Sequence, residues 1–209
     1  MKTYSNIIFS LKNNRNIILI GEEGCGKKQL AIWCAKNYDK NNNNLDEPII
    51  CYCSNELTIQ FLIGRYKVSN ESKHPTIEWK NGFLLDAIEK GKCVIFISIE
   101  NASCTILERL NSLFDFTYLK GKRRFNIPEK GTNDKGENEF IFIHPNFRII
   151  ATCNNINKIS PAFLNRFDII YLPNQLQNLD ESKIKSYIRN LFNENKQEVN
   201  NEDIIEQFS

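Results

Sequence analysis

Residues 21–28 read GEEGCGKK, and their flanks constrain this chain more than any other feature. Before them runs NIILIGE (16–22), short and β-branched. After them KKQLAIWCAKNY (27–38) places Leu30, Ala31, Trp33 and Cys34 on what reads as one helical face. Gly21, Gly26 and Lys27 fit G-x-x-x-x-G-K, with Gly24 between them. A strand before and a helix after give that spacing its physical meaning. Glycines let the backbone turn tightly and present N–H groups to an anion. The helix beginning near Lys27 adds the positive end of its dipole. Gly21, Glu22, Glu23, Gly24, Cys25, Gly26, Lys27 and Lys28 are therefore the expected phosphate-binding residues. The pattern ordinarily ends in Ser or Thr, whose hydroxyl ligates magnesium. Lys28 stands there instead. An ammonium has no lone pair for a metal and repels one, yet it can screen phosphate charge directly.

Strand-like and helix-like stretches alternate beyond this loop. PIICYCS (48–54) reads as a second strand, and ELTIQFLIGRY (56–66) as a helix or a turn-rich segment. WKNGFLLDAIEKGK (79–92) reads as a helix closed by Gly91. CVIFISIE (93–100) is the kind of apolar run expected of a strand covered on both faces. TILERLNSLFDF (105–116) follows as an amphipathic helix. FRIIATCN (147–154), SPAFLNRF (160–167) and DIIYLP (168–173) then supply strand, helix and strand. Residues 117–146 form a glycine- and charge-rich excursion with two strand-like stretches, which reads as a hairpin insert. The alternation predicts a five-stranded, mainly parallel sheet with helices on both faces, an α/β fold. The predicted domain spans 1–175. A lone amphipathic helix, ESKIKSYIRNLFNENK, marks 176–209 as the truncated start of a helical second domain.

The usual partner of a phosphate loop is an apolar strand ending in Asp, often Asp-Glu: one acid holds the metal and the other polarises the attacking water. Here the strand reads CVIFISIENAS, and Ile97 and Ser98 occupy those places. Glu100 is the nearby acid. It is a catalytic candidate if the strand ends late, and otherwise a solvated residue leading into the next helix.

Composition excludes several classes. A net charge of +2 over 209 residues gives little support, by bulk charge alone, for a nucleic-acid or membrane surface. No apolar run approaches the roughly 18 residues a membrane helix needs, and no signal peptide opens the chain, so an intracellular protein of cytoplasm or nucleus is expected. The seven cysteines include no C-x-x-C pair and lie mostly in apolar runs, as reduced thiols used for packing do. No metal-ligating set is assigned. The basic stretch KGKRRF (120–125) falls in the expected hairpin, where solvated charge is the usual state, so nucleic acid is not an expected partner. His74 and His144 both precede proline and read as turn residues.

The order of these motifs resembles the AAA+ ATPase modules of the dynein-related, midasin-like group. GEEGCGKK is similar to that group's Walker A loop. EWKNGFLLDAIEKGK is similar to its W-x-x-G-x-L segment before Walker B, and ILERLNSLFD to the helix after it. FLIGRY, NIPEKG, HPNFRIIATCN and SPAFLNRFDIIYL match further segments in the right order, over roughly residues 14–175.

The resemblance implies a P-loop NTPase three-layer αβα sandwich, ATP as ligand, and other AAA+ modules in a ring as partners, from the same or a different chain. The protein substrate is not implied. Asn154 falls at the sensor-1 position, where a polar side chain contacts the γ-phosphate or the attacking water. Arg166 falls at the arginine-finger position, where it acts on a neighbour's nucleotide with an effect of about 10³–10⁵ in rate. Tyr4 and the lead-in SNIIFSLKNNRN are candidates for the adenine pocket by position. Magnesium is the family's metal, but its usual ligands are missing here. Three readings stay open: an ATPase module of weak activity, a structural or regulatory module that holds nucleotide, and a protein-interaction domain on a relic fold.

Overall fold

The computed structural model describes residues 2–38, 47–69, 75–114, 118–119, 121–132 and 136–172, all in the first of two units, Met1–Leu172 and Pro173–Ser209. The expected lid start at 176–209, the asparagine loop at 41–44, His74 and the Tyr4 side chain lie outside the described residues.

Helix α1 (Lys2–Lys12) comes first, followed by β1 (Ile17–Ile20) and α2 (Lys27–Asn37). β2 (Ile49–Tyr52) and a short helix α3 (Ile59–Leu62) lead to an antiparallel pair, β3 (Gly64–Ser69) and β4 (Thr76–Asn81). Next come α4 (Phe83–Lys90), β5 (Cys93–Ile97) and α5 (Cys104–Phe114). β6 (Tyr118–Leu119), β7 (Lys122–Asn126) and β8 (Phe140–Phe142) pair antiparallel in a small sheet of their own. β9 (Arg148–Cys153), α6 (Pro161–Leu164) and β10 (Asp168–Tyr171) follow.

The main sheet has five strands in the order β10-β1-β9-β5-β2, and every neighbouring pair is parallel. Alternate residues of one strand feed two cores. Ile17 and Leu19 join Ile7, Leu11, Ala31 and Cys34 from α1 and α2, whereas Ile18 and Ile20 join Leu84, Ile88, Leu107 and Leu110 from α4 and α5. Burial on both faces is why these strands read as unbroken apolar runs. The result is the αβα sandwich expected. No helix among the described residues is long and apolar enough to cross a membrane.

Two local expectations are corrected. Trp33 does not face inward; it is 48% exposed, and α2 buries Lys27, Ala31, Cys34 and Ala35 instead. Positions 31, 34 and 35 share a face, while position 33 lies about 200° from 31 around the axis. Small Ala and Cys side chains let α2 lie close against the sheet.

Trp79 is not helical either. It lies in β4, stacks edge-on against Tyr66 of β3 (5.1 Å between centroids), and donates to Asn81 Oδ1 at 2.8 Å. Helix α4 starts only at Phe83, because Gly82 is extended (φ −81°, ψ 167°) and crowded against the Leu62 carbonyl, where a Cβ has no room. FLIGRY resolves into the end of α3 and the start of β3.

The small sheet is tied to the body through Arg109 of α5. Its guanidinium donates to both oxygens of Glu129 (2.6 and 3.0 Å) and to Asn126 O (2.9 Å), and lies 4.5 Å from the Phe125 ring centroid. In the KGKRRF stretch, Lys122 and Arg124 each lie 5.7 Å from a ring centroid, those of Phe142 and Phe140.

Candidate functional site

β1 delivers Gly21 to the C-terminal edge of the sheet, where its N–H donates to Cys153 O at 3.2 Å. Gly24 and Gly26 take φ of +78° and +85°, a region costly for any side chain with a Cβ. A Cβ at either would meet nothing within 4 Å. Backbone conformation therefore demands glycine there, while the outer side of the loop stands open. Gly26 is the N-cap of α2, and no side chain caps that end. The positive end of the helix faces the loop's opening without a built-in anion.

Lys27 is only 8% exposed. Its ammonium donates to Gly21 O (2.9 Å) and Glu22 O (2.6 Å), with Cys25 Sγ at 3.7 Å. Both carbonyls are neutral, so the charge is held in place without being cancelled. Lys28 is exposed, and its Nζ lies 2.6 Å from Tyr52 Oη at the end of β2. Tyr52 is in register with Ile97, the last residue of β5.

The end of β5 is built without acids. Ser98 sits in the left-handed region (φ 54°, ψ 56°), a conformation that costs a non-glycine residue about 1–2 kcal/mol. Its N–H donates to the buried hydroxyl of Thr152 at 3.0 Å, which helps to hold it there.

Glu100, in the single-turn helix Ile99–Asn101, is not a solvated residue. It is 8% exposed, and its Oε1 accepts the N–H of Asn154 at 2.9 Å while Oε2 is buried without a hydrogen bond. Burial first, then the neighbouring Glu100 carboxyl, push the Cys153 thiol up to about 12. The Cys53 thiol is also raised, by its contact with Cys51 and then by burial. These sulfurs are packing groups rather than nucleophiles at neutral pH.

Asn154 begins where β9 ends, and its Nδ2 lies 3.5 Å from Glu23 Oε1. The structure thus brings Glu23, Glu100 and Asn154 together from three segments. Arg166 stands apart, half-buried on the turn after α6, with Nη1 donating to Ala162 O at 2.5 Å. Tyr52 and Thr152 were not singled out in the sequence. For Tyr52 a signal existed, since strand ends at the carboxyl edge of a parallel sheet face its ligand site.

A magnesium ion of the usual kind does not fit these residues. The Lys28 ammonium offers no lone pair, Ile97 no side-chain oxygen, and one oxygen of Glu100 is spent on a backbone N–H. No group of three His, Cys, Asp or Glu side chains among the described residues is placed to hold a metal. A surface cavity lined by Lys67, Trp79, Lys80, Asp86 and Lys130 opens along the β3–β4 hairpin; no residue of the loop lines it.

Comparison with known proteins identifies the family. The family model described as AAA domain, dynein-related subfamily, matches residues 16–167. Midasin of Dictyostelium discoideum is 26% identical over 177 residues, which covers 82% of this chain and 3% of midasin. The gas vesicle ATPase GvpN1 of Halobacterium salinarum is 25% identical over 178 residues, 76% of this chain and 46% of that protein. Protein YojN of Bacillus subtilis, uncharacterised, is 26% identical over 170 residues, 79% of this chain and 50% of its own length. The chain therefore spans from a small fraction to half of these relatives. Among solved structures, the closed-state reconstruction of Hsp104 with ATPγS and FITC casein has a TM-score of 0.59 at 17% identity, covering 95% of this chain and 36% of that one. That likeness is one of fold.

Proposed function

The chain belongs to the dynein-related subfamily of AAA domains, and from that premise we propose that it is a nucleotide-holding module of an AAA+ ring, binding ATP through residues 21–28 and hydrolysing it weakly or not at all. The observation that carries the reading is the closure of the loop on Lys27. A buried ammonium is fixed by two carbonyls of the loop itself, beneath an open arc of left-handed glycines and an uncapped helix start. Such an arrangement binds phosphate with little reorganisation.

Weak hydrolysis follows from what surrounds the loop. Water attack on a phosphoryl group depends on positioning and charge stabilisation, supplied in this fold class by a metal and an acid. Lys28, Ile97 and Ser98 remove both. Asn154 keeps the position that touches the γ-phosphate or water in the family, and its backbone is held by Glu100.

Lys28→Thr combined with Ile97→Asp is the repair. It should raise magnesium-dependent turnover at least about tenfold, equivalent to about 1.4 kcal/mol of barrier, in a steady-state phosphate-release assay. A folded double variant with no gain would show that these two positions are not the defect. Arg166 is proposed to act on a neighbouring subunit. Arg166→Ala should lower the turnover of an active neighbour in a mixed assembly and leave this chain's own nucleotide affinity unchanged. The opposite pattern would remove Arg166 from that role.

A further inference from the structure

We propose that the Lys28 ammonium, seated on Tyr52, takes the place of the magnesium ion, so that this site accepts metal-free nucleoside polyphosphate and Tyr52 is its positioning residue. The inference rests on the nucleotide-holding reading above.

Lys28 is the second residue of α2, immediately after the lysine that closes the phosphate loop. Its side chain spans to the far strand of the sheet and places Nζ 2.6 Å from Tyr52 Oη and 5.1 Å from the Tyr52 ring centroid. Tyr52 ends β2 directly beside Ile97, where a metal-holding aspartate would otherwise stand. The two residues that normally grip magnesium from opposite sides are thus replaced together. A cation stands in the hydroxyl's place, and a phenol anchoring that cation ends the strand beside the missing acid.

The chemistry is self-consistent. A divalent ion brought between Lys28 and the loop meets two ammonium groups and no side-chain oxygen ligand at positions 28 and 97, so it is disfavoured. A polyphosphate meets the same two ammonium groups as partners, one buried and one exposed. An unanchored lysine has many rotamers to lose on binding, and Tyr52 removes part of that freedom in advance. This also gives Tyr52 a reason to stand 61% exposed at a strand end.

The test is calorimetric titration of the whole 209-residue chain with ATP, once with magnesium chelated and once with magnesium in excess. The wild type should bind with magnesium chelated, and no more tightly when magnesium is in excess, because the metal gains no ligand at positions 28 and 97. Lys28→Thr should lose about tenfold in the metal-free condition and regain affinity when magnesium is added. Tyr52→Phe keeps the ring and removes one oxygen, so its fold is not at issue. It should lose about threefold without metal and little with it, a difference that a purely structural role does not produce. Wild-type binding that appears only with magnesium overturns this proposal and leaves the nucleotide reading standing. So does unchanged metal-free affinity in both variants. Absence of wild-type binding in both conditions overturns the nucleotide reading and this proposal with it.

Discussion

Replacing Lys27 by methionine is expected to weaken ATP binding by at least about a hundredfold, equivalent to about 2.7 kcal/mol, in a titration of the variant against the wild type. The size comes from where the charge sits. At 8% exposure the ammonium works in surroundings of lower effective dielectric than water, where a charge-assisted contact to phosphate is strongest. It also holds the loop. Without its donors, Gly21 O and Glu22 O lose the contacts at 2.9 and 2.6 Å that fix the turn, so the variant loses preorganisation as well as charge. Methionine keeps most of the aliphatic stem, which limits the damage to packing. A drop of less than tenfold would mean that phosphate does not sit on this loop.

The second large effect is on stability. Arg148→Met should lower the unfolding free energy by about 3 kcal/mol, seen as a reduced denaturant midpoint with an unchanged slope. Arg148 is 7% exposed at the start of β9. Its Nε donates to Leu11 O at the end of α1 (2.7 Å), and Nη1 donates to Pro145 O (2.6 Å) and Phe147 O (2.8 Å). The guanidinium also lies 5.6 Å from the ring centroid of Tyr38, just beyond α2. One side chain thus joins α1, α2 and the sheet, and its removal strips carbonyls of donors in a buried place, each costing about 1–3 kcal/mol. Arg148→Lys should recover only part of the loss, because an ammonium cannot reproduce the planar fork. A change below about 1 kcal/mol in Arg148→Met would show that water replaces those donors freely.

The glycine-lysine loop was legible because its conformation is set locally. Left-handed turns call for glycine at positions 24 and 26, and the helix starts on the lysine that follows them. The absence of acids after β5 was legible for the same reason. Glu100 was harder. Its sequence neighbours suggest a solvated lead-in to α5, and nothing within several residues shows that its carboxylate reaches the N–H of Asn154, 54 positions away. Trp33 and Trp79 misled in a different way. Trp33 reads as part of the inward helical face, but helix geometry turned it outward; Trp79 reads as helical, but the crowding at Gly82 delays α4 to Phe83 and leaves Trp79 in a strand.

By itself the sequence determined the α/β alternation, the two-sided burial of the central strands, the glycine-lysine loop between strand and helix, and the presence of Lys28, Ile97 and Ser98 where metal ligands are expected. Each of these is written in short-range pattern: residue size and polarity repeat with the period of a helix or strand, and loop chemistry depends on adjacent residues. Tertiary structure alone decided the strand order β10-β1-β9-β5-β2, in which β1 lies between strands that begin more than a hundred residues later. It also decided that Lys28 meets Tyr52, that Glu100 holds Asn154, and that Arg148 binds the end of α1. The physical reason is one of range. Periodicity says which face of an element is buried, but which element covers that face is chosen by the packing of the whole chain.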